Sequence, residues 1–255
     1  MNRKHLLQYL FLCLFALFTL PARANLPSDE LQLQSMQVNA CRALGSLMLL
    51  RGEGFQEVHA NQLKADLAAL DAAVKGYTKA DDGLRKAYQE LLGQVRAGTT
   101  YGPREEDLPW TYSKDLSRAL RDFLGQVERF VPPPAKPGEL PLWQLPARVE
   151  YLAVQYLGRA YLGGLEIARE APQSYLGQDE SVLLPLIDKD IGRLPPGDAE
   201  KKLHTRWNYL GTALGDMNSK SNALVSASGR PWAPIIVERH ARELTDQLMR
   251  LSQAQ

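Results

Sequence analysis

Apolar residues return every three or four positions along most of the chain, and that spacing commits it to helices. Leu33, Met36, Ala40, Ala43 and Leu47 form the first stripe. They predict a helix over about 29–51, ended by Gly52 and Gly54. Leu63, Leu67, Leu70, Val74 and Tyr77 follow, then Leu84, Tyr88, Leu91 and Val95. The register survives the polar stretch 79–83, so this pattern predicts one long helix with a break there, ending near Gly98. Leu116, Leu120, Phe123, Val127 and Phe130 carry a third helix. Such seams pack up-and-down bundles.

Pro132, Pro133, Pro134 and Pro137 interrupt the pattern. Consecutive prolines cannot continue a helix and favour a stiff, extended connector. A Pro-rich ligand for a recognition domain is the functional alternative, but a short run between two helical blocks reads as a linker.

Beyond it, Leu145, Val149, Leu152, Tyr156, Ala160, Gly163 and Ile167 predict a fourth helix that Pro172 stops. A shorter helix around 181–193 contains Pro185. A long one opens at Pro195-Pro196-Gly197-Asp198 and carries Leu203, Trp207, Leu210, Leu214, Met217 and Leu224. After the turn at Ser228-Gly229-Arg230-Pro231, Pro234 starts a final helix with Val237, Ala241, Leu244, Leu248 and Leu251 on one side. The fold class is therefore all-α. Two helical-bundle halves, 25–131 and 142–255, are joined by the Pro-rich linker 132–141.

The halves share features that suggest a degenerate duplication. Arg42-Ala43 corresponds to Arg159-Ala160, and Glu53 to Glu170. Leu84, Tyr88 and Leu91 correspond to Leu203, Trp207 and Leu210. Amphipathic helices also align with one another by chance, so the spacing alone leaves both readings open.

The first 24 residues give an address. Arg3 and Lys4 precede an apolar run from Leu6 to Leu20, and Ala22-Arg23-Ala24 supplies the small-x-small pattern of signal peptidase. The run is shorter than the roughly 20 residues that span a bilayer, which disfavours an uncleaved anchor. Residues 1–24 are read as a cleaved signal peptide, which makes the protein periplasmic with no stable membrane anchor after cleavage.

The chain holds 30 Lys and Arg against 29 Asp and Glu. Cleavage would leave 27 against 29, close to neutral. Nucleic acid and anionic membrane surfaces call for a basic field, so neither is the expected partner. Of the two cysteines, Cys13 lies in the leader. Cys41, among small and apolar neighbours, reads as a buried apolar residue rather than a reactive thiol.

A family resemblance rests on two short stretches. Val38-Asn39-Ala40-Cys41-Arg42 resembles the opening of the periplasmic helical sensory module of type IV pilus chemoreceptors and nitrate sensors. Trp207, in Arg206-Trp207-Asn208-Tyr209-Leu210, is similar to a Trp on a later helix of that module. Where the family has Arg-Gln-Arg-Met-Leu-Ser, this chain has Arg42-Ala43-Leu44-Gly45-Ser46-Leu47. The resemblance implies a sensory role for a helical bundle, without the transmembrane signalling parts of the family.

No catalytic motif stands out. His59, His204 and His240 are scattered, with no His-x-x-x-His spacing, so neither metal nor cofactor is expected. No Gly-x-Ser-x-Gly elbow or phosphate-cradling loop occurs. Glu105-Glu106-Asp107 reads as a solvated loop. The candidates for ligand binding are Arg42 and Arg159, which could hold an anion between helices, with Tyr88 and Trp207 as aromatic walls. The plainer reading makes the arginines ion-paired and the aromatics core residues. Trp110, Trp143 and Trp232 sit beside prolines in connectors, where each could plug a bundle end or dock a partner. The expected function is non-enzymatic: an exported binding or sensory-accessory protein recognising a small ligand, in one version an anion, or a periplasmic protein. The alternative is an inhibitor or immunity-type protein that caps an exported enzyme.

Overall fold

In the computed structural model, residues 27–133, 140–163, 175–194, 198–219, 221 and 225–254 are described. The leader with Cys13, residues 134–139 of the connector, Ile167, Glu170, Pro172, residues 195–197 and Leu224 lie outside them. The described residues form eight α-helices, two short 3-10 turns and no strands. They are α1 (Ser28–Gly52), α2 (Glu57–Gly76), α3 (Asp82–Thr100), α4 (Tyr112–Glu128), α5 (Leu145–Leu162), α6 (Glu180–Ile191), α7 (Asp198–Gly215) and α8 (Pro234–Ala254). No helix among the described residues is long and apolar enough to cross a membrane.

Local chemistry sets the boundaries. The stripe from Leu63 to Val95 is two helices, because Tyr77 turns extended and Asp81 starts the chain again. The Asp81 carboxylate accepts the Leu84 N–H at 2.8 Å, which satisfies one of the first-turn donors left without a helical acceptor. Asp179 caps α6 in the same way, through the Ser181 N–H. The described part of α5 ends at Leu162, five residues before Ile167, because Gly163 takes a left-handed φ of 74°. α7 ends at Gly215, before Met217 and Leu224. The carbonyl and carboxylate of Asp216 then accept hydrogen bonds from Ala227 and Ser228, folding the loop back onto the helix end.

α1 and α5 lie at the centre. Gln34 on α1 donates to the Trp143 carbonyl just before α5, Arg42 reaches Glu150, and Tyr161 near the end of α5 donates to Glu53 just past α1. These pairs are separated by 109, 108 and 108 residues, so the two helices run parallel in constant register. α2 packs along α1, α8 along α5, and α3 and α4 against each other and α1. α6 and α7 complete the side of α5. One continuous core joins both halves, with Leu44, Leu47, Leu120, Phe123, Leu152 and Leu244 all buried. Because neighbours enclose α1 from both sides, it also buries Gln34, Gln37 and Ser46, away from its sequence stripe.

Two of the connector tryptophans fill gaps. Trp143 is buried, and Trp232 packs edge-on against Tyr156 with centroids 5.1 Å apart.

Close packing of α3 on α4 gives a direct test. A Cβ on Gly98 would overlap the Tyr112 hydroxyl, whereas one on Gly125 would meet nothing within 4 Å. Gly98→Ala should therefore destabilise by about 1–3 kcal/mol through overpacking. Gly125→Ala should stabilise by roughly 0.5–1 kcal/mol through helix propensity. Urea unfolding of the two variants decides; equal effects would refute the packing of α4 on α3.

Candidate functional site

Arg42 projects from α1 into a junction of four helices. Its Nε donates to Glu150 Oε1 on α5 at 2.7 Å. Its Nη2 donates to Thr245 Oγ1 at 2.6 Å and to Asp246 Oδ1 at 2.7 Å on α8. The Thr245 hydroxyl in turn donates to Glu150. One turn earlier on α8, Arg242 places two N–H groups on Asp66 of α2 at 2.7 and 3.0 Å and pairs with Glu238 at 2.6 Å. Ser46 of α1 also donates to Asp66. The two arginines thus tie α2, α1, α8 and α5 together.

Burial disfavours the charge on Arg42, yet Glu150 and Asp246 outweigh it and hold the guanidinium pKa above its ordinary value. Arg242 behaves likewise: Asp66 and Glu238 more than offset its burial. The anions that meet Arg42 are therefore carboxylates of its own chain.

The other sequence candidates occupy separate helix contacts. Arg159, near the end of α5, donates to the carbonyls of Asn218 and Ser221 at 2.9 and 3.1 Å. Tyr88 is buried between α2 and α4; its hydroxyl donates to Asp71 at 2.9 Å and its ring lies against Phe123. Trp207 is buried on α7, and its indole N–H donates to Asp188 at 3.2 Å. None of the four lines the cleft described below. Asn39, which carries part of the sensory-module resemblance, donates back to the Ser35 carbonyl within α1. His204 pairs with Glu200 at 3.1 Å. Among the described residues no group of three or more His, Cys, Asp and Glu side chains is placed to hold a metal.

A second polar cluster lies at the connector end of the bundle. Glu128, the last residue of α4, accepts from the Gln37 amide at 2.7 Å and the Gln144 amide at 2.6 Å. Burial pushes its pKa up to about 7, against the lowering effect of the two amides and of Arg148. Arg148 is itself fully buried and pairs with Asp190 at 2.8 Å. Only the odd polar residue in an otherwise apolar stretch of α5 hinted at this in the sequence.

Among the described residues the opposite end is open. A cleft of about 740 Å³ lies between the ends of α1 and α5, the loop 101–111 and the start of α4. Arg51, Tyr112 and Tyr161 line it, with Arg104 and Trp110 from the loop. The walls are held firmly. Arg51 donates to the carbonyls of Gly98 and Gly102 at 2.6 and 2.8 Å, Tyr112 donates to the Gln94 carbonyl, and Arg104 pairs with Asp107. Tyr101 and Tyr112 meet edge-on at 5.4 Å. Trp110 alone among the connector tryptophans stands out in solvent, 94% exposed.

Compared with protein-family models, characterised proteins and solved structures, the chain matches none. Its function has to be read from this geometry.

The two candidate arginines should differ sharply. Arg42→Ala leaves Glu150 buried without its cation and should cost about 3–5 kcal/mol in chemical denaturation. Arg159→Ala removes hydrogen bonds to loop carbonyls and should cost about 1–2 kcal/mol. A loss below about 1 kcal/mol for Arg42→Ala would show that the junction does not depend on its charge.

Proposed function

We propose that this chain is an exported, non-enzymatic binding protein whose occupant seats in the cleft beside Trp110. The observation that carries the reading is a fully exposed indole at the mouth of a cleft lined by both halves. An isolated tryptophan in water forfeits the burial that makes it stabilising, and Trp, Tyr and Arg are the residues that anchor interfaces. The cleft carries all three. Its floor is already hydrogen-bonded, which suits a preformed site. The buried ion pairs of Arg42 with Glu150 and of Arg242 with Asp66 lie away from this cleft, whose own buried cation, Arg51, is engaged by backbone carbonyls.

Export follows from the leader reading, and the sensory-accessory role from the resemblance through Asn39, Arg42 and Trp207. A second reading, an inhibitor that caps an exported enzyme, draws support from the same Trp110, because a ring standing clear of the surface can enter a partner's pocket.

Native mass spectrometry of the protein captured from the periplasm tests this. The wild type should carry a bound mass, small for a sensory ligand and large for a capped enzyme. Trp110→Ala should lose at least tenfold in affinity, about 1.4 kcal/mol, with unchanged helicity. Retention of the same mass by Trp110→Ala would refute the cleft as the binding site.

A further inference from the structure

The large apolar side chains left in water gather at one end of the bundle. Trp110 stands at the mouth of the cleft, 94% exposed. Val58 lies in the first turn of α2, just past the end of α1 that lines the same cleft. Ile235 and Ile236 open α8, whose start is held near the end of α5 because the Ala233 N–H donates to the Tyr156 hydroxyl. Arg242 on α8 is tied to Asp66 on α2, and Ile235 and Val58 each sit about two turns before that tie, at a similar height. Val225 belongs to the same end: its carbonyl accepts from Asn218, and the Asn218 carbonyl accepts from Arg159 near the end of α5. Five of the eight large apolar side chains exposed among the described residues thus share the open end. An exposed apolar face of this kind marks a surface for association.

The arrangement of this face says what fits it. Trp110 projects beside the cleft that it lines, so a protrusion and a cavity lie next to each other. A two-fold axis at the rim places each indole over the cleft of the other copy, which is the self-complementary condition of an isologous contact. The cleft, about 740 Å³, has room for the ring. Charge agrees with this geometry. Arg104 and Glu106 stand side by side in the same loop, 3.2 Å apart, and the side chain of each is 67% exposed. A rim that presents both signs together can pair with a copy of itself. The chain as a whole, with 30 basic and 29 acidic residues, adds no strong repulsion between copies.

We propose that two copies of this chain close on each other through their open ends, each Trp110 entering the cleft of the other copy. The proposal rests on the reading that the cleft receives an occupant, and it names that occupant for protein that has met no other. Val58, Val225, Ile235 and Ile236 lie on the face that the second copy approaches. A ligand or foreign protein seated in the cleft has to displace the second indole, so filling the cleft separates the pair.

Sedimentation equilibrium tests this on the periplasmic protein, unfolded, refolded and shown by native mass spectrometry to carry no foreign mass. Wild type should pass from monomer to dimer between about 1 and 100 μM. Trp110→Ala should associate at least tenfold more weakly, with unchanged helicity. Ile236→Glu, which puts a charge on the same face, should weaken association as well, whereas Leu142→Ser at the connector end should dimerise like the wild type. Tryptophan emission reports the contact itself. Trp143 and Trp207 are buried and Trp232 is packed on Tyr156, so a blue shift that grows with concentration belongs to Trp110 and should be missing in Trp110→Ala. A bare wild type that stays monomeric at the highest concentration, or a dimer that Trp110→Ala retains, overturns the proposal. The two readings fail separately. If bare wild type is monomeric while freshly captured protein carries a foreign mass that Trp110→Ala loses, self-association falls and the cleft reading stands.

Discussion

The parallel contact of α1 with α5 is the constraint on which the rest of the structure depends. Two helices 108 residues apart in the sequence lie side by side, joined midway by the buried ion pair of Arg42 and Glu150. Bringing them together closes a long loop, and only the burial of both helices offsets that entropy. Charges inside such a contact are tolerable only when every partner is present, because desolvation penalises each one. Thr245, Asp246, Asp66 and Arg242 complete the set. α8 is therefore held against the centre by charge as well as by its apolar stripe, and α2 is held against α8 through Asp66.

This central pair also produces two unlike ends. At one end, α4 terminates beside the starts of α1 and α5, and a partly buried carboxylate meets two amides. At the other, α1 and α5 end beside the loop 101–111 and leave a cleft. Arg51 ties the start of the loop to the end of α3 by meeting the carbonyls of Gly98, Tyr101 and Gly102. Trp110, at the far end of this loop, leaves its ring in solvent. One end is dense, polar and inward; the other is open, aromatic and outward.

Much of the fold was legible in the residues. Stripes such as Leu116, Leu120, Phe123 and Val127 mark helices because 3.6 residues per turn brings them to one face. The polar stretch 79–83 reads as a break, and the Asp81 carboxylate there caps a new helix, whereas Gly163 reads as lying inside the fourth helix and its left-handed φ ends it instead. The second face of α1 was not legible. Gln34, Gln37 and Ser46 look like solvent residues until α4, α5 and α2 cover them. Arg42 drew notice in the sequence as an inward-facing cation, but nothing local indicates that Glu150 and Asp246, 108 and 204 residues away, would meet it.

The sequence by itself determined that this chain is all helical, where most of its helices start and stop, and which residues carry their apolar faces. Those properties depend on neighbours within a few turns. Tertiary structure decided which polar residues are interior and which aromatic is free. Trp110, Trp143 and Trp232 share a local context of nearby proline, yet one stands in water while two are packed. Glu128 is a surface-like helix-end glutamate until residues from both halves enclose it. Burial, and with it pKa and affinity, is set by what arrives from far along the chain, and a local pattern carries no record of that arrival.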